Sequence, residues 1–135
     1  MNQDLVGTGS AFLVEMIGTS FLVFVIMVVT DHRNHSLVSP KLAPLFIGLA
    51  VAILIISLAP LTQCAINPAR DFGPRLFVFV AGWTSSIAFF SGFWIYLLAP
   101  IVGGVLGSLI YSLIFFFPHH IEPHLRQYQV MNDTK

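Results

Sequence analysis

The chain has 135 residues, of which 56% are hydrophobic and 9% charged, with a formal net charge of zero and a mean hydropathy of +0.86. No soluble domain needs that much apolar surface, so the composition marks an integral membrane protein in contact with a lipid bilayer, and the balanced charge offers no nucleic acid a basic face. Cys64 is the single cysteine, which excludes an internal disulfide.

Residues 1–10 are polar and carry neither Lys nor Arg, so they lack the basic start of a signal peptide. The apolar run at 11–30 is too long for a signal core and reads as a retained span. It holds one charge, Glu15, and as a helix would reach about 30 Å. Residues 31–41 form a short polar connection. The second span, 42–59, is uncharged and is expected to end at Pro60. Residues 60–92 are apolar but interrupted by Pro60, Pro68, Gly73, Pro74 and Gly82, which rules out a straight span. A re-entrant loop followed by a half-helix over 68–81, shielded from lipid by protein, fits them better. The third span, 93–117, is uncharged, with Pro100 inside it and Pro118 closing it. Trp83 and Trp94 fall near span ends, where indoles favour the membrane interface. Gly103, Gly104, Gly107 and Ser108 form a stripe of small residues for close helix packing. The polar tail from 118 to 135 is expected to fray or end in a brief helix.

Chemistry concentrates at Asn67-Pro68-Ala69-Arg70. Asn67 suits a helix cap, Pro68 the first helical position, and Ala69 is small enough for another backbone to approach. Arg70 then falls in the first turn, where the helix dipole is already positive and stability alone would favour an acid. A cation at bilayer depth is costly unless it lines an aqueous path. The pattern therefore describes a half-helix whose positive end points into a pore and repels cations and protons. Glu15 reads as structural support, accepting backbone N–H groups from the re-entrant loop. The five histidines lie in polar segments, and His119, His120 and His124 lack the further ligands a metal site needs. No nucleophile–base pair, phosphate loop or pair of carboxylates supports an enzyme, and no cofactor or metal is expected.

At these residues the chain resembles the C-terminal half of a major intrinsic protein, the family of aquaporins and aquaglyceroporins. The likeness covers roughly residues 11–117. Besides Asn67-Pro68-Ala69 it rests on Glu15, Gly18-Thr19, Thr30-Asp31, Leu42-Ala43-Pro44-Leu45, Ile47-Gly48-Leu49-Ala50, the run 60–77, and Pro100 through Gly104. The resemblance implies an all-α membrane protein with three transmembrane helices plus one re-entrant half-helix, half of an inverted-repeat bundle. It implies that Asn67 donates to a passing solute, that Arg70 walls the outer constriction, and that carbonyls at 64–66 supply acceptors. It also places Ile55 and Cys64 at constriction positions. Ile55 stands where water-selective members typically carry His, and Asp71 and Arg75 follow the glycerol-channel pattern. Leu97 agrees with glycerol channels more closely than Tyr96 does, whereas Cys64 resembles water channels.

The implied function is passive permeation of small uncharged solutes, glycerol-type polyols and water. A water-selective half is the alternative, as is a non-conducting fragment that only associates with family members. By this likeness residues 1–10 end a connecting loop, the missing N-terminal half is the required partner, and a homotetramer follows once the pore is complete. Arg33, Lys41, Arg126 and Lys135 put the 31–41 loop and the tail in the cytoplasm and the N-terminus outside, in a multi-pass protein of the plasma membrane.

Overall fold

A computed structural model describes residues 6–34, 38–83 and 90–115. Within them the chain forms four α-helices: α1 (Thr8–Thr30), α2 (Ala43–Thr62), α3 (Pro68–Val80) and α4 (Phe93–Phe115). Single 3-10 turns at His32–Asn34 and Pro40–Leu42 link α1 to α2. Three segments of 23 residues each, Thr8–Thr30, Pro40–Thr62 and Phe93–Phe115, are long and apolar enough to cross a membrane. Their outward faces carry bare aliphatic side chains such as Ile17, Ile53, Ile56 and Leu113, which require lipid or further protein around them.

The tightest seam joins α1 to α4. A methyl added at Gly103 would fall on the Met16 carbonyl, and one at Gly107 on the Ser20 carbonyl. One turn further along, Tyr111 meets the ring of Phe24 edge-on at 6.3 Å. These pairs advance by four residues on both helices, so α1 and α4 run parallel, and glycine is what lets the backbones touch. Ser108 returns its hydroxyl to the Val105 carbonyl at 2.8 Å.

Three boundaries differ from the sequence expectation. The first helix starts at Thr8, ahead of residue 11. The second runs through Pro60 to Thr62. Pro60 falls in the last turn, where its missing N–H forfeits a single bond, and the helix stops only when Gln63 turns left-handed (φ 71°). The half-helix ends at Val80, one residue before the expected 81. Its 13 residues span about 20 Å, too short to cross a bilayer. The tail at 118–135, with His119, His120 and His124, lies outside the described residues, as do 116 and 117.

Because α1 and α4 are parallel and α3 is short, the segment between α2 and α4 enters and returns on one side. Its loop tip packs against the middle of the bundle. Ile66 is buried with Leu54 and Cys64, and its methyl would meet a methyl at Gly18 at 3.3 Å.

Candidate functional site

The loop from Gln63 to Ile66 is backbone under strain. Gln63, Cys64 and Ile66 have φ of 71°, 51° and 44°, a region that β-branched Ile in particular avoids. Such geometry persists only where neighbours over-determine it. On the α1 side, Glu15 is fully buried and accepts from Ala65 N–H at 3.1 Å and Ile66 N–H at 2.7 Å, one to each carboxylate oxygen. On the α4 side, the Tyr96 hydroxyl donates to the Thr62 carbonyl at 2.9 Å. Between them Thr62 Oγ1 accepts from Cys64 N–H at 3.3 Å.

The loop feeds α3 with its cap in place. Asn67 is extended, Pro68 occupies the first helical position, and Asn67 Oδ1 accepts from Ala69 N–H at 2.9 Å. With that oxygen engaged, the Nδ2 donors are the part of Asn67 left to bond another group. Arg70 turns back over the loop, its Nη1 donating to the Cys64 carbonyl and, at 3.5 Å, to that of Ala65. The guanidinium is thus seated on backbone carbonyls and remains exposed.

Two recesses meet at this residue. The first, about 620 Å³, has an aliphatic wall from α1, α2 and α4 that includes Ile55, Val51 and Leu22, with Asn67 and Arg70 as polar members. The second, about 480 Å³, is polar and includes Thr62, Gln63, Asp71, Arg75 and Tyr96. Arg70 and Ala65 border both. Asp71 and Arg75 pair along α3 through two bonds, Nε at 2.9 Å and Nη2 at 2.8 Å, a fork matched to the carboxylate. The Arg75 guanidinium also lies over the Tyr96 ring, 5.8 Å from its centre.

Of the residues singled out from sequence, Ile55, Asn67, Pro68 and Arg70 come together on the first recess, and Asp71 and Arg75 on the second. Cys64 belongs to neither. Its thiol is fully buried against Leu54 and Ile66, so its carbonyl under Arg70 is its link to the site. Thr62 escaped the sequence reading, and Tyr96 entered it without a role. The available signal was a Thr and a Tyr, both able to bond the backbone, flanking a segment that must satisfy its polar groups inside a membrane.

This geometry can be set beside known proteins. The family model described as Major intrinsic protein matches residues 1–111. The chain belongs to the major intrinsic protein family. It is 42% identical over 117 residues to Aquaglyceroporin-2 of Rhizophagus irregularis, covering 85% of this chain and 37% of that protein. It is 46% identical over 111 residues to the Glycerol uptake facilitator protein of Pseudomonas aeruginosa, covering 78% and 39%. To Aquaporin-9 of Mus musculus it is 38% identical over 123 residues, covering 90% and 41%. The chain therefore spans about two fifths of the length of these relatives. As a family member with three span-length apolar helices, it is an integral, multi-pass membrane protein.

Proposed function

We propose that this chain forms one wall of a transmembrane channel for small uncharged solutes, glycerol-type polyols together with water. The observation that carries the reading is Arg70 seated between the two recesses, with Asn67 beside it. A polyol has an oxygen edge for their donors and a carbon edge for the aliphatic wall that includes Ile55. A cation would meet both Arg70 and the positive end of α3. Two relatives named for glycerol or aquaglyceroporin function support the same class of solute. Glu15, Asp71 and Arg75 serve as support in this reading, the first for the loop and the others for the mouth. Cys64 contributes through its carbonyl, which seats Arg70.

The first recess is only partly enclosed by this chain, and a second half-bundle of inverted orientation is the partner that would close it. Residues 11–117 constitute the channel unit, with the N-terminus outside, the 118–135 tail in the cytoplasm, the plasma membrane as its site, and a tetramer as the complete assembly.

Stopped-flow light scattering on vesicles holding this chain with such a partner is expected to report glycerol flux well above that of bare lipid. Ile55→His should lower glycerol passage relative to water. Fast water flux with glycerol at the bare-lipid level would replace this reading with a water channel, and flux from the chain alone would remove the need for a partner.

A further inference from the structure

We propose that Tyr96 is a positioning residue for selectivity, its hydroxyl fixing the start of the strained loop and, through the loop, the Arg70 guanidinium. The consequence for selectivity rests on the channel reading above; the positioning itself does not. The last carbonyls of α2 have no partner within their own helix, and at membrane depth water cannot be assumed to serve them. The Tyr96 hydroxyl supplies one such partner at the Thr62 carbonyl, 2.9 Å away, with both residues buried. From Thr62 the order passes by two further bonds: Cys64 N–H donates to Thr62 Oγ1, and the Cys64 carbonyl receives Arg70. Three links thus join a side chain of α4 to the cation of the site. Glu15 holds the same loop from α1, but only at Ala65 and Ile66. Gln63 and Cys64, the first two left-handed residues, fall on the Tyr96 side.

The Tyr96 ring has a separate task beneath Arg75. Tyr96→Phe keeps that ring and the Glu15 anchor, so it removes the hydroxyl bond while leaving the helices packed. Cys64 makes the effect readable without any flux, being the single cysteine and fully buried. In the full chain reconstituted in lipid, N-ethylmaleimide should modify Cys64 roughly two- to tenfold faster in Tyr96→Phe than in the unaltered protein, the size expected from losing one such bond to local opening. Tyr111→Phe, which removes a hydroxyl on the same helix far from the loop, should leave the rate unchanged. Where flux is present, Tyr96→Phe should change the glycerol-to-water ratio at equal folded amount. Unaltered Cys64 reactivity in Tyr96→Phe, equal acceleration in Tyr111→Phe, or a proportional loss of both fluxes would overturn the proposal. Absence of flux from the unaltered protein would instead count against the channel reading, and Cys64 would still decide the role of Tyr96.

Discussion

At one end of α4 the Tyr96 hydroxyl donates to a backbone carbonyl, that of Thr62; towards the other the Tyr111 hydroxyl donates to a carboxylate, that of Asp31, at 2.5 Å. Both bonds tie the end of a neighbouring helix to α4, yet their surroundings differ. In the Tyr96 region Thr62, Cys64 and Glu15 are fully buried, and a single side-chain bond, from Tyr96, serves the Thr62 carbonyl among the described residues. Tyr111 is at least as buried as Tyr96, but its bond is one of several. Asp31 also accepts from the Arg33 backbone N–H at 2.9 Å and from the Arg33 guanidinium, while Asn34 Nδ2 donates to Tyr111 Oη and to the Val28 carbonyl, each at 3.1 Å. The same bond type should therefore matter more at the loop, where one bond holds the Thr62 carbonyl, than at the α1 end, where Arg33 and Asn34 share the load.

The sharpest way to break this contrast is Glu15→Ala. It orphans the N–H groups of Ala65 and Ile66 in a buried site, and each orphan costs about 1–3 kcal/mol. Folded yield after detergent extraction should fall steeply, with Glu15→Gln in between because it keeps one acceptor oxygen. A well-folded Glu15→Ala with altered permeation would show that Glu15 serves the path rather than the loop.

Gly103→Ala should come next, and it should affect both regions together. The added methyl meets the Met16 backbone, which cannot swing aside, so the α1–α4 seam must widen at a cost of about 1–3 kcal/mol. Gly48→Ala, with open space around it, is the control and should leave melting unchanged. Equal thermal stability of the two variants would mean that the seam does not hold the bundle.

Smaller still is the effect of Asp31→Asn. The hydrogen bonds from Arg33 and then Tyr111 hold the Asp31 carboxyl well below the ordinary carboxylate range. A carboxyl depressed in the folded state contributes stability above its unfolded value near 4, and that contribution is lost as pH falls through the folded value. Between pH 5 and 8 the tie should be constant, and below about pH 4 the unaltered protein and Asp31→Asn should begin to converge in thermal stability, completing only near the much lower folded value. A difference that changes between pH 5 and 8 would assign the titration to another group.

Much of this arrangement was legible in the sequence because the membrane leaves few options. Uncharged runs of span length must be helices, and proline and glycine between two of them force a re-entrant path. Asn67-Pro68 fixed the start of α3, and the spacing of Asp71 and Arg75 anticipated their pair, because both follow from local rules. Long-range partnership is harder to read. Glu15, 50 residues from Ala65, was legible as a loop support because a carboxylate inside a span needs donors, whereas Tyr96, 34 from Thr62, offered only the general capacity of a Tyr to bond backbone. Pro60 misled for a related reason: proline forbids one bond, but where α2 ends depends on the left-handed turn at Gln63.

The central claim is that the cation at the start of α3 faces a path for neutral solutes, and one paired measurement tests it most directly. Glycerol flux and proton leak would be recorded on the same vesicles, prepared with the closing partner, for the unaltered protein and for Arg70→Val. The account predicts glycerol flux with proton leak at the bare-lipid level in the former. In the variant glycerol should still pass and protons should begin to leak, since a fixed charge beside a desolvated cation has been removed. A proton leak unchanged by Arg70→Val, with glycerol still flowing, would show that Arg70 does not face the path and would contradict the account.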